Sequence, residues 1–343
     1  MDSSRPAGDV RAALWREWRG GPSVHCFLCA QHCRIAPGDR GLCGVRENRD
    51  GVLYTLVYAC PVSTAVDPIE KKPLFHFMPG TLTYSIATVG CNFTCAFCQN
   101  AEISQMPRDH KRVAGTRLSP EEVVESALEA GCESVSYTYT EPPIFYEYAR
   151  DCARLAAKNG LKNIFVTNGY MTKETLEDID GDLHAANVDL KSFSDDFYRT
   201  LVGARLKPVL NSIRCLWEMG VWVEVTTLLI PGRNDSTDEL RELATFVASI
   251  SQDIPWHVSR FYPTYRLLDV PPTPVITIER AVSIGHEEGL RYVYGGNVAG
   301  HKSESTFCPN CGRLLVERSG FSIGRNEIRD GRCSNCGEEI AMR

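Results

Sequence analysis

The sequence has no apolar run long enough to span a bilayer, no repeat of fixed period and no low-complexity tract. Its most apolar stretch, VWVEVTTLLI at 221–230, carries Glu224 and falls well short of the roughly 20 residues a helical span needs. The opening MDSSRPAGDV is polar and lacks the apolar core of a signal peptide, so a cytoplasmic location is expected. Charge is not one-sided: 37 Lys and Arg stand against 43 Asp and Glu, a net −6. That excludes a broad nucleic-acid-binding face. An apolar fraction of 43% and a charged fraction of 23% exclude disordered and fibrous classes. A chain of 343 residues suffices for one large core with small appendages.

What the chain has in excess is cysteine, 15 in all. In a reducing compartment disulfides rarely persist, so such a number points to metal or to reactive thiols. Eleven fall into three groups: Cys26, Cys29, Cys33 and Cys43; Cys91, Cys95 and Cys98; Cys308, Cys311, Cys333 and Cys336. Cys60, Cys132, Cys152 and Cys215 stand alone and read as small packing residues.

Four regions follow. Residues 1–60, after an amphipathic opening from Val10 to Arg19, form a Cys-rich lobe held by ligands rather than by a packed core. Residues 61–82, with four prolines in PVSTAVDPIEKKPLFHFMPG, read as a connector. From 83 to 300, strand signals (TYSIATV, SVSYTYT, NIFVTN, NVDLKSF, VWVEVTTLLI, WHVSRFY, RYVYGG) alternate with helices. One of these opens on a capping box at Ser119–Glu122 with Pro120 at its first position; others centre near 176, 212, 243 and 282. The alternation implies an α/β fold with a parallel sheet. Six units fit a partial TIM-like (βα)6 barrel better than a closed eight-fold one, with an open doubly wound sheet as the alternative. Residues 301–343 form a second Cys-rich lobe, too short for a core of its own and dependent on metal.

Cys91-Asn-Phe-Thr-Cys95-Ala-Phe-Cys98 follows a strand directly, where a parallel barrel places its active site. Three thiolates can hold three irons of a cubane and leave the fourth open, a catalytic arrangement; half of a zinc site is the competing reading. The loop resembles the radical S-adenosylmethionine (SAM) signature, including Phe97 before the third cysteine. VDPIEKKPLFHFMPG, GCNFTCAFCQN, SYTYTEPPIF, FVTNGY, VDLKSF and the flanking cysteines resemble the radical SAM enzyme of the AmmeMemoRadiSam system, related to pyruvate formate-lyase activating enzymes. The resemblance implies a [4Fe–4S] cluster at Cys91, Cys95 and Cys98. It also implies SAM as second cofactor and reductive cleavage to a 5′-deoxyadenosyl radical that abstracts hydrogen. A flavodoxin or ferredoxin is implied as electron donor, with Memo-like and AMMECR-type proteins as partners.

Further SAM contacts come from the same alignment. Tyr139-Thr140-Glu141-Pro142 matches the family's Gly-Gly-Glu-Pro segment without its glycines, and Glu141 would accept hydrogen bonds from the SAM ammonium. Asn168, before Gly169, would reach the ribose or substrate, or simply make a turn. Asp189 and Lys191 alternate on a strand and share a face, as a structural pair or as SAM contacts. His257 would line the pocket or be a satisfied core histidine. Asn234 and Asp235 would line it or begin a helix. Phe97 would pack near adenine or serve the core.

The C-terminal knuckles, Cys308-Pro-Asn-Cys311-Gly and Cys333-Ser-Asn-Cys336-Gly, resemble a structural zinc ribbon, with rubredoxin-like iron as the competitor. The N-terminal four are less regular, and His25 and His32 lie nearby. Zinc is favoured there over a further iron–sulfur cluster or a metal-free redox set. Three functions compete: a radical SAM enzyme acting on a protein substrate, a glycyl radical enzyme activase, and a non-enzymatic zinc-binding adaptor.

Overall fold

The computed structural model describes residues 8–298 and 300–343. The polar start of the chain at 1–7, on which the signal-peptide reading rests, lies outside the described residues.

Among the described residues the largest sheet has eight strands, ordered in space as in the chain. These are β1 Ser63–Pro68, β2 Leu82–Ala87, β3 Ser134–Tyr137, β4 Lys162–Thr167, β5 Ala185–Asp189, β6 Trp222–Leu229, β7 Trp256–Arg260 and β8 Val293–Gly296. From β2 to β8 every pairing is parallel. The six crossovers carry α1 Pro120–Glu129, α2 Tyr146–Lys158, α3 Lys173–Asp178, α4 Leu206–Glu218, α5 Thr237–Ile250 and α6 Val275–Glu287. A doubly wound sheet reverses its strand order at a switch point, and this one never does. Because β1 and β8 are not paired with each other, the barrel stays open, as a partial TIM-like fold requires.

Local signals explain the elements. Ser119 accepts from the Glu122 N–H, the Glu122 carboxylate accepts from the Ser119 N–H at 2.6 Å, and Pro120 opens α1. In β6, Glu224, Thr226 and Leu228 share one face, while Val223 and Val225 of the other face join the main core.

Two expectations are corrected. The connector at 61–82 supplies a strand, β1, antiparallel to β2. Its prolines hid it, yet Pro61 precedes the strand and Pro68 ends it on a sheet edge, where a missing N–H costs no ladder bond. The N-terminal lobe does have a packed core: Val24, Leu28, Ile35 and Val45 are buried in one cluster continuous with the barrel. Its opening is two strands, Gly8–Arg11 and Trp15–Trp18. The C-terminal lobe has no core wholly its own: Leu315, Val316 and Ile340 pack with Phe75, Tyr292 and Tyr294 of the barrel side.

The segment after β1 joins these parts. Glu224, fully buried inside the barrel, accepts from the backbone N–H of Phe75 at 3.0 Å and of His76 at 2.8 Å. His76 in turn bonds the Tyr294 hydroxyl at 2.5 Å and the Ala341 carbonyl at 2.6 Å.

Candidate active site and metal centres

A cleft of about 400 Å³ opens at the C-terminal ends of the parallel strands. That is the usual place and size for a ligand site in such a fold. Cys91, Cys95 and Cys98 line it together with Phe97, Glu141, Asn168, Asp189 and Lys191.

The cysteine loop is pinned from several sides. Thr94 N–H donates to the Val202 carbonyl at 2.8 Å and Ala96 N–H to the Leu201 carbonyl at 2.9 Å. Arg108 donates to the carbonyls of Cys91 and Phe93, the latter at 2.7 Å. Phe93 N–H points at the Cys91 sulfur at 3.4 Å, and the Ser104 hydroxyl lies 3.1 Å from the Cys98 sulfur. Such donors stabilise thiolates, the form that binds iron. The residues present therefore fit a site-differentiated cluster.

Glu141 is 1% exposed, with one oxygen held by the Thr167 hydroxyl at 2.5 Å and the other by Asn168 N–H at 2.8 Å. Burial pushes its carboxyl up to about 8 against these hydrogen bonds. A cation entering the cleft would favour its ionised form. Tyr139, in the place of the family's first glycine, adopts φ +62°. Its hydroxyl is held by Asp67 and by Lys72 at 3.3 Å, an anchor that secures a left-handed backbone without glycine.

Asp189 ends β5, and Lys191 lies just beyond it, with Nζ 3.0 Å from the Asp189 carboxylate and 6.0 Å from the Phe97 ring centre. Both the pair and Phe97 face the cleft. Asn168 donates to the Asn92 side chain at 2.8 Å and lies 3.8 Å from the Cys91 sulfur.

His257 is corrected. It is not among the cleft-lining residues; its Nε2 lies 2.6 Å from Glu224, and its ring stacks on Tyr294 and meets Phe75 edge-on. Ser259, two residues on, does line the cleft. Periodicity placed His257 on the correct face and one layer too high. Asn234 and Asp235 are also outside the lining. Asn234 instead caps the Ile230 N–H at 2.7 Å and holds the Lys191 carbonyl at 2.6 Å.

Sequence reasoning missed Lys71, Asn100, Asn187 and Thr226, all of which line the cleft. Thr226 and Asn187 carried a usable signal, being polar positions on the inward face of apolar strands. Lys71 and Asn100 carried none.

At the C-terminal lobe, the sulfurs of Cys308, Cys311, Cys333 and Cys336 all lie within 4.8 Å of one another, so one metal ion could be reached by all four. Gly312 and Gly337, after each knuckle, adopt φ +71° and +75°, the tight turns expected there. The N-terminal Cys26, Cys29, Cys33 and Cys43 line a cavity of their own, with neither His25 nor His32 in its wall.

Residues 85–246 match the radical SAM superfamily profile. The chain belongs to the radical SAM superfamily. It is 46% identical over 334 residues to the uncharacterized protein MJ0808 of Methanocaldococcus jannaschii, covering 96% of this chain and 99% of that one. It is also 24% identical over 223 residues to pyruvate formate-lyase 1-activating enzyme of Escherichia coli K12, covering 60% and 89%. A radical SAM methyltransferase from Sphaerobacter thermophilus superposes with a TM-score of 0.51 at 16% identity, over 90% of this chain and 81% of that one, a likeness of fold alone. Radical SAM membership implies a [4Fe–4S] cluster and SAM, and the Cys91–Cys98 loop falls within the matched span.

Proposed function

We propose that this radical SAM enzyme cleaves SAM reductively at a [4Fe–4S] cluster held by Cys91, Cys95 and Cys98, and acts on a protein substrate. The observation that carries the reading is the convergence of these three cysteines with Glu141, Asn168 and the Asp189–Lys191 pair on one cleft. The bound cofactors would supply a 5′-deoxyadenosyl radical and hydrogen abstraction. The chain's own part is positional. Glu141 accepts from the SAM ammonium, Asn168 reaches toward the ribose or substrate, Lys191 and Asp189 orient charged groups, and Phe97 offers an apolar wall to the adenine.

Similarity to an enzyme named for activating another enzyme supports a macromolecular substrate. It also favours, as second reading, installation of a glycyl radical. A flavodoxin or ferredoxin would supply the electron, Memo-like and AMMECR-type proteins would be partners, and the location would be cytoplasmic. Zinc would occupy the C-terminal four-cysteine site, whose close sulfur spacing suits a single tetrahedral ion.

The test is anaerobic reconstitution, reduction and paramagnetic resonance with and without SAM, with 5′-deoxyadenosine assayed. The expected result is a SAM-responsive signal and 5′-deoxyadenosine, both lost in Cys95→Ala. A protein that holds zinc alone and leaves SAM intact would overturn the reading in favour of an adaptor.

A further inference from the structure

The N-terminal cysteines gather, but not as zinc ligands gather. Bonds of about 2.3 Å to one tetrahedral zinc bring four sulfurs to within about 4 Å of each other. The C-terminal quartet is built that way, with Cys308 and Cys336 sulfurs 3.5 Å apart and those of Cys311 and Cys333 3.7 Å apart. Among the described residues, the C-terminal quartet is the one set of three or more His, Cys, Asp or Glu whose ligand atoms all fall within 4.8 Å. Cys26, Cys29, Cys33 and Cys43 do not, although all four line a single cavity. Cys91, Cys95 and Cys98 do not either, and theirs is the loop that the radical SAM match assigns to a cluster. A cluster several atoms across holds its thiolates farther apart than one ion does. Neither the N-terminal quartet nor the cluster loop has the close spacing of the C-terminal single-ion site.

The cavity wall carries donors with nothing to donate to. Asn92, 2% exposed, lines the cavity, and its Nδ2 has no partner. Arg46, also 2% exposed and lining it, has an unpartnered Nε, while its other end is held by Glu147 at 2.7 Å. Backbone N–H groups of Gln31, Leu42 and Val45 point at the sulfurs of Cys29, Cys33 and Cys43. Buried donors without acceptors are rare in a finished structure. A thiolate-ligated cluster, anionic and rich in sulfide acceptors, would satisfy them.

The cavity also adjoins the active site. Asn92 follows Cys91 in the chain, and its Oδ1 lies 3.7 Å from the Cys91 sulfur. Gln31, between Cys29 and Cys33, donates to the Asn92 carbonyl at 2.9 Å. On the outer side, Leu42 lines the cavity and is exposed.

We propose that Cys26, Cys29, Cys33 and Cys43 hold a second iron–sulfur cluster, which relays electrons from the surface to the SAM-binding cluster. The relay rests on the radical SAM reading above; the occupancy of the cavity does not. One electron from a reduced flavodoxin- or ferredoxin-class protein reduces the outer cluster. The outer cluster is reoxidised as that electron passes inward past Asn92, and one electron is consumed for each SAM cleaved.

The experiment compares the full chain with two variants, Cys91→Ala/Cys95→Ala/Cys98→Ala and Cys26→Ala/Cys33→Ala. All are reconstituted anaerobically with iron and sulfide and examined by metal and sulfide analysis and paramagnetic resonance. The triple variant is expected to retain iron and labile sulfide in equal amounts, with a dithionite-reduced signal that SAM does not alter. The double variant is expected to keep the SAM-responsive signal alone. The reduced wild type should show spin–spin broadening that the sum of the two variants lacks, the mark of neighbouring clusters. A triple variant free of sulfide, with zinc at the N-terminal site, overturns the proposal even if wild-type protein cleaves SAM. A triple variant that keeps its cluster, beside a wild type with no SAM-responsive signal, sinks the active-site reading and leaves the N-terminal cluster standing. Should the double variant fail to fold, the triple variant still decides. A wild-type spectrum equal to the sum of the variants would overturn the relay.

Discussion

At the scale of single residues, the cleft depends on a few positions with no tolerance for change. Gly203 adopts φ +76°, and a Cβ added there would overlap the Thr94 hydroxyl on the cluster loop. Gly203→Ala should therefore cost about 1–3 kcal/mol and push the loop away from the Leu201 and Val202 carbonyls that hold it. Iron content after reconstitution and the melting temperature are both expected to fall; wild-type values for both would refute the packing argument. Glu141 offers a different test. A charge-assisted hydrogen bond contributes about 1.5–3 kcal/mol, so Glu141→Gln should weaken SAM binding by roughly tenfold or more in anaerobic calorimetry. Unchanged affinity would mean that the carboxyl serves only to tie the ends of β3 and β4.

At the scale of elements, the parallel strands were legible because apolar runs, capping residues and Gly-terminated helices agreed with one another. Ser119, Pro120 and Glu122 specified the start of α1 to the residue. β1 was hidden because Pro61 and Pro68 bracket a strand whose partner lies on one side only. That Cys91, Cys95 and Cys98 would gather at one cleft could be read from their spacing after a strand. The depth of His257 could not, because alternation reports which face a side chain takes and says nothing of how far along the barrel it sits. The C-terminal knuckles make a prediction of their own. Their strands Thr306–Phe307, Leu314–Ser319 and Ser322–Asn326 pair into a small sheet with only a few buried side chains. Cys333→Ala should accelerate amide hydrogen exchange across 306–340 while β3 to β6 stay protected. Equal loosening of both regions would mean that the lobe and barrel form one cooperative unit.

At the scale of the whole molecule, Glu224 and His76 join barrel, inner segment and C-terminal lobe. Burial lowers His76 to about 4, so the folded protein keeps it neutral where an unfolded chain, near 6.5, would protonate it. Below about pH 6.5 the unfolded state then binds more protons, and stability falls as pH drops toward about 4. Glu224, raised by burial but shifted down overall by the hydrogen bonds from His257 and Phe75 and the two nearby imidazoles together, adds its own loss only at lower pH. His76→Gln should thus lose about 2 kcal/mol less than wild type between pH 7.5 and 5.0, read from urea melts at both values. An identical loss in the two proteins would show that His76 is not the titrating group. The same junction orders events during synthesis. His76 leaves the ribosome 148 residues before Glu224, whose carboxylate its N–H meets, and 265 before Ala341, whose carbonyl its ring meets. At roughly 5–20 residues per second, its ring waits about 13–53 s for that carbonyl, so the barrel's base closes only after the C-terminal lobe has been made.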